Sequence, residues 1–204
     1  IQNFYKNYPA KINEARKLLG RPMTFAEKVL YSHLAEKTTK VFLRGKDFVE
    51  FSPDRVAMHG YSYGGYAASA AGVRPNGLYQ CAIAGAPVVE LASFQRLTSE
   101  NRIIRERQRP TIEGMSPLAK AAEVSIPMLY YHGNRDTTVE ISQSEKMVAA
   151  LKAAGKKVKY VELADMGHGY FTWKPEHTKT VLETIDNFLQ NDCRPGGMAV
   201  SADR

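Results

Sequence analysis

The sequence predicts an α/β fold, with a mostly parallel sheet flanked by helices and a small helical segment in front of it. Two observations carry this. Short runs of strand character near 55–60, 81–85, 127–133 and 158–163 alternate with longer stretches of helical character. Strands alternating with helices argue for parallel pairing through right-handed crossovers. The residues that suggest chemistry (Ser62, Asp136 and His168) each fall just past the carboxyl end of such a run, which is where sites form in open α/β sheets.

Taken in order, residues 1–35 read as two helices. Pro9 precedes the first, about Lys11 to Leu19, and Gly20 stops it. Thr24 and Glu27 have the spacing of a capping box and open the second, about Thr24 to Leu34. Phe25, Val29, Leu30, His33 and Leu34 recur at helical spacing as its apolar stripe, with His33 a residue of that face rather than a ligand. Val41–Leu43 and Phe48–Phe51 are candidates for short strands around Arg44-Gly45-Lys46. Paired, they would cover the edge of the first sheet strand, which is an aggregation hazard when bare.

The run from Arg55 leads into Gly60-Tyr61-Ser62-Tyr63-Gly64-Gly65, and a helix of small residues leads out. G-x-S-x-G between a strand and a helix is the pattern of a nucleophile elbow, a strained turn that lifts a serine hydroxyl above the end of a sheet. The glycines are expected where a Cβ would strike nearby backbone. A strand follows at Cys81–Gly85, then an irregular polar segment, Glu90–Gly114, with Arg102, Arg105, Arg107 and Arg109. Two readings of these arginines stay open, a set that binds a carboxylate and, favoured, a solvated amphipathic helix. Next come a buried-type strand at Pro127–Gly133, a helix at Ser142–Ala154 stopped by Gly155, a strand at Val158–Leu163, and a helix over about Glu176–Leu189. From Arg194 the chain is rich in Gly and Pro and is expected to be disordered.

The order Ser62, Asp136, His168 is the order Ser, Asp or Glu, His of hydrolases built on such an elbow. The chemistry assigns Ser62 as nucleophile, His168 as the base that takes its proton, and Asp136 as the group that orients the imidazole and stabilises its cation. The Tyr63 N–H is the candidate oxyanion donor. His59 and His132 precede glycines beside strands and are expected to pack or hydrogen-bond under the site, and His177 is expected on a helix surface. Asp165 is the rival to Asp136, but it lies only three residues before His168.

Length and composition bound the rest. A chain of 204 residues holds one sizeable core, or a core plus a small helical subdomain. Its 44% hydrophobic and 24% charged residues fit a soluble globular protein. There is no stretch of membrane-spanning length and no leader pattern, and Ile1 in place of Met is expected of a processed or trimmed chain. Net charge is +7, of which residues 1–60 carry +5, with eleven Lys/Arg against six Asp/Glu. Without a nucleic-acid motif this bias reads as a solvated helix face, so no nucleic-acid partner is expected. Cys81 and Cys193 lie in no secreted-type framework and are expected as thiols in a reducing, cytoplasmic compartment, a disulfide between them being the less favoured alternative. They lack metal-ligand spacing, and no metal or cofactor is expected.

From about Asp54 to Cys193 the chain resembles the catalytic domain of the prolyl oligopeptidase group of α/β-hydrolases. The resemblance rests on DRVAMHGYSYGGY (54–66), AIAGAPV (82–88), SPL (116–118), IPMLYYHGNRDTTV (126–139), SQSEKMVAALKAAGK (142–156) and MGHG (166–169). It implies a partial α/β-hydrolase with its triad at Ser62, Asp136 and His168. INEARKLLGRPMTFAEKVLYSHL (12–34), RGK (44–46) and PDRVAM (53–58) resemble instead the N-terminal segment of mitochondrial-type aconitase. The two resemblances meet at residues 53–58 and imply a chimera: a helical segment over 1–53, a hydrolase-like portion over 54–193 and a tail over 194–204. The aconitase-like part stops before that family's cluster-ligating positions, so no function is carried over from it. In the hydrolase family several strands precede the elbow and supply a second oxyanion donor; here fewer than sixty residues precede it. The leading expectation is a serine peptidase or esterase acting on small peptides or esters. The alternatives are a chimeric or designed chain that retains the motifs with little catalysis and, third, a relative of aconitase.

Overall fold

The computed structural model describes residues 2–35, 39–43, 46–49, 56–74, 78–93 and 101–193. They fall into two compact units, one within the residues before 56 and one from Val56 onward. The expectations on Phe51, the 53–55 junction and the 194–204 tail lie outside the described residues.

The first unit holds α1 (Gln2–Leu19) and α2 (Phe25–Ser32). Helix α1 begins earlier than the proline suggested: Pro9 lies inside it, where it gives up its N–H bond and its ring crowds the carbonyl four residues back. Gly20, at φ 65°, ends the helix as expected. The capping box is formed. The Thr24 hydroxyl accepts from the Glu27 N–H at 3.3 Å, and Glu27 Oε2 accepts from the Thr24 N–H at 2.8 Å. Arg21 closes on the same carboxylate at 2.6 Å. The buried face of α2 matches the predicted stripe at Leu30 and Leu34 and departs from it elsewhere. Phe25 is 81% exposed, whereas Tyr31 and Leu34 are buried with Ile12, Ala15 and Met23. Residues 39–43 and 46–49 form no strand. The Asp47 carboxylate instead accepts from the Leu43 N–H at 2.6 Å and pairs with Lys40 at 2.7 Å.

The second unit is a four-stranded parallel sheet in the order β1-β2-β3-β4. Its strands are β1 (Ala57–Tyr61), β2 (Cys81–Gly85), β3 (Met128–Gly133) and β4 (Val158–Leu163). The crossovers carry α3 (Tyr63–Val73), α4 (Arg102–Met115) with a 3-10 stretch at Pro117–Glu123, and α5 (Ser142–Ala153); α6 (Pro175–Asn191) follows β4. Helix α4 takes up residues from Arg102 of the segment expected to be irregular at 90–114, of which residues 94–100 lie outside the described residues. Asn101 caps it by accepting from the Ile104 N–H at 3.1 Å, and Arg102 and Arg107 face solvent, in keeping with the solvated helix. Because successive strand residues point to opposite faces, the sheet builds two cores. Ala82, Ala84, Met128 and Tyr130 pack with α3, α5 and the 3-10 stretch. Ile83, Leu129, Tyr131 and Leu163 pack with Val181 and Phe188 of α6. The all-buried β3 explains its unbroken apolar run.

Two expectations in this unit are corrected. Cys81 and Cys193 form a disulfide, joining the first residue of β2 to the chain just past α6. Helix α6 lays its end on that face of the sheet and so brings together two thiols 112 residues apart. The premise of free thiols, on which a reducing compartment was expected, does not hold. His177, expected at the surface, is buried, and its Nδ1 accepts from the Lys174 N–H at 3.1 Å, capping α6. Among the described residues no helix is long and apolar enough to cross a membrane.

Candidate active site

The turn from β1 into α3 sets the position of Ser62. Its backbone adopts φ 58° and ψ −119°, a conformation that costs on the order of 1–3 kcal/mol and persists only where its surroundings impose it. The Ser62 N–H donates to the Gly85 carbonyl at 2.8 Å, tying the turn to the end of β2, and the Ser62 carbonyl accepts the first helical bond from the Tyr66 N–H at 3.1 Å. A Cβ on Gly60 would run into the Gly64 carbonyl, and one on Gly65 would lie 2.6 Å from the Gly85 oxygen. Gly64 is different: a Cβ there meets nothing within 4 Å, so close approach requires only the other two glycines.

The loops after β3 and β4 are laced together. Asn134 N–H donates to the Leu163 carbonyl and Arg135 N–H to the Met166 carbonyl, each at 3.0 Å. Asn134 Oδ1 accepts from the Asp165 N–H at 2.9 Å. This lacing sets Asp136 against His168: Nδ1 of His168 lies 2.6 Å from Asp136 Oδ2. A carboxylate only accepts, so Nδ1 carries the hydrogen and Nε2 is left as acceptor. Ser62 Oγ lies 2.9 Å from that Nε2. The structure thus brings Ser62, His168 and Asp136 into one hydrogen-bonded line. Asp165 is turned away, with its side chain half exposed and paired with Arg135 at 2.7 Å. Tyr63 is the first residue of α3, so its N–H has no acceptor within the helix.

Asp136 sits in a dense shell of donors. Its Oδ1 accepts from the Thr138 and Val139 N–H groups at 2.9 Å each. Burial pushes its carboxyl up, but hydrogen bonds from His132, the Val139 amide, His168 and the Thr138 amide outweigh burial and hold it at about 2. His132, the penultimate residue of β3, is fully buried and lies against Asp136. His59 meets the Tyr131 hydroxyl at 3.2 Å.

Sequence reasoning passed over Tyr61. Its hydroxyl donates to the His168 carbonyl at 3.0 Å, and its ring centroid lies 5.2 Å from the imidazole. Burial, with the charge of Asp136 adding to it, pushes the Tyr61 phenol up, keeping it a donor. Tyr170 and Trp173 pack on the same ring, at 5.7 and 5.5 Å. The available signal was its place inside the elbow, one residue before the nucleophile.

Comparison with known proteins follows this geometry. The model of the prolyl oligopeptidase family matches residues 39–195. A probable chloroplastic glutamyl endopeptidase of Oryza sativa subsp. japonica is 31% identical over 155 residues, covering 74% of this chain and 16% of that protein. A solved acylaminoacyl peptidase of Pyrococcus horikoshii superposes with a TM-score of 0.60 at 22% identity, covering 69% of this chain and 24% of that one; at that identity the likeness is one of fold, the α/β-hydrolase fold. Mitochondrial aconitate hydratase of Emericella nidulans is 43% identical over 53 residues, which is 26% of this chain and 7% of that enzyme, consistent with a chimera. The chain therefore spans less than a quarter of the length of these relatives. On the extent of the family match and the arrangement of the elbow and its partners, the chain belongs to the prolyl oligopeptidase family.

Proposed function

We propose that the chain is a serine hydrolase, a peptidase or esterase that cleaves small peptides or esters through an acyl-enzyme on Ser62. The observation that carries this reading is the 2.9 Å approach of His168 Nε2 to Ser62 Oγ, in line with the 2.6 Å contact to Asp136. In the first half of the reaction Ser62 Oγ attacks the carbonyl carbon and its proton passes to His168 Nε2. Asp136, held ionised, stabilises the imidazolium, and the Tyr63 N–H faces the developing oxyanion. His168 then gives its proton to the leaving amine or alcohol. In the second half water attacks the acyl group with His168 again as base, and Ser62 leaves with its proton restored.

A second reading is favoured by the 53-residue stretch that resembles aconitate hydratase. In it, a joined chain retains the array but lacks the oxyanion donors that the family draws from strands ahead of the elbow, and turnover is low. One missing donor costs about 10²–10³ in kcat. Neither reading involves an iron–sulfur cluster, because both cysteines are bonded to one another and neither is a thiolate.

Labelling with a fluorophosphonate probe tests the proposal. The wild-type chain is expected to label and Ser62→Ala to lose the label. A folded wild type that does not label sinks the hydrolase reading. Labelling without measurable turnover of an activated ester selects the second reading.

A further inference from the structure

We infer that His132 is a positioning residue for Asp136, so that the array is four residues long: Ser62, His168, Asp136 and His132. The inference rests on the hydrolase reading above and adds a residue that the triad does not contain.

His132 is fully buried, and both ring nitrogens are engaged. Nε2 lies 2.9 Å from the Val139 carbonyl and 3.3 Å from Asp136 Oδ2. Both partners only accept, so Nε2 carries a hydrogen that the two share. Nδ1 lies 2.8 Å from the Ser144 hydroxyl on α5. The ring is therefore clamped between the 136–139 loop and the helix behind it, and its tautomer follows from its surroundings.

The oxygen that His132 reaches decides what it does. Asp136 Oδ2 is the atom that also receives His168 Nδ1, at 2.6 Å, while Oδ1 is occupied by the Thr138 and Val139 amides. Rotating the carboxylate breaks at least two of these contacts, so it stays aimed at His168. A purely structural histidine would need only the bond to Val139. The contact to Oδ2, longer than the usual 2.9–3.0 Å or so, is the weaker arm of a shared hydrogen bond. It draws part of the charge of Oδ2 away from His168 and so tempers the pull of Asp136 on the base. The groups facing the ring are Asp136 from its own loop, the neutral Ser144 hydroxyl from α5 and, through Asp136, His168 from the loop after β4.

The test compares His132→Leu, His132→Gln and Ser144→Ala with the wild type, each checked for folding by thermal melting. The readouts are the pH profile of activated-ester hydrolysis and the far-downfield proton resonance of His168 Nδ1–H, which needs no turnover. His132→Leu is expected to lower kcat on the order of a hundredfold, the scale of misplacing a catalytic group by about 1 Å. KM should hold, the acid limb of kcat/KM should move to higher pH, and the downfield proton should shift. His132→Gln, which keeps an N–H near Val139 and Asp136, should recover most of the rate and return both signatures toward wild type. Ser144→Ala should move both signatures slightly in the direction of His132→Leu.

A folded His132→Leu with an unmoved acid limb and proton overturns the inference. So do equal losses in the Leu and Gln variants with both signatures unmoved, which would mark packing alone. If His132→Leu does not fold, Ser144→Ala decides, and unmoved signatures overturn the inference there. A wild type that fails to label with the fluorophosphonate defeats the hydrolase reading separately, since the downfield proton and its dependence on His132 are read without chemistry at Ser62.

Discussion

The helical unit and the sheet unit are held together by different means. In the first, the polar contacts are mostly short-range, a capping box within three residues, an Arg21–Glu27 pair six apart and an Asp47–Leu43 bond four apart, while a small core of Ile12, Ala15, Met23, Tyr31 and Leu34 packs the segment together. In the second, the contacts that matter span the chain. Ser62 meets His168 across 106 residues, Asp136 meets His168 across 32, and Cys81 meets Cys193 across 112. Stability in the first unit is expected to respond to single side chains by small amounts. In the second, one cross-link or one carboxylate carries a large share.

Removing the disulfide probes this most strongly. A bridge closing about a hundred residues is worth about 4–5 kcal/mol in the chain-entropy account, so Cys193→Ser is expected to lower the melting of the sheet unit and leave that of the helical unit alone. Differential scanning calorimetry resolves the two, and equal shifts in both would break the comparison. Less severe is Asp136→Asn, read against pH. The folded carboxyl sits at about 2 against an ordinary 3.8. The ionised form thus stabilises the fold fully above about 4, and that contribution is lost as pH falls through about 2. The stability gap between wild type and Asp136→Asn is expected to shrink by about 2 kcal/mol across that window, as urea melts at a series of pH values would show. A gap independent of pH would mean that the carboxylate is not held ionised by its donors. Smallest is Thr24→Ala, which removes the cap of α2 and is expected to cost about 1 kcal/mol in the helical unit alone.

The same contrast governs what the sequence made legible. The elbow, the order of its partners and the strand at 158–163 were readable because each is written in a few adjacent residues. So was the capping box. The buried face of α2 was legible in part: Leu30 and Leu34 of the stripe do pack on Ile12 and Met23, but Phe25 and Val29, which share the spacing, are exposed and Tyr31 takes their place. Pro9 reads as a start signal, yet the helix runs through it from Gln2 despite the lost bond and the crowding of the ring against the preceding turn. The disulfide was the less favoured reading because only the docking of α6 makes neighbours of its cysteines. His132 was seen as a residue under the site, but its partners, Ser144 on α5 and the far oxygen of Asp136, follow from the crossover after β3 rather than from spacing.

The strand order also sets a sequence of events during synthesis. Each strand pairs with the one before it in the chain, so the sheet can grow from β1 as residues emerge. Ser62 stands at the start of that growth, while His168 arrives only after β4. Up to that point a nascent chain bears a serine hydroxyl with no base beside it. On the hydrolase reading proposed above, Ser62 gains its base only once β4 is in place, so a chain still short of β4 would carry the elbow without the partner that activates it.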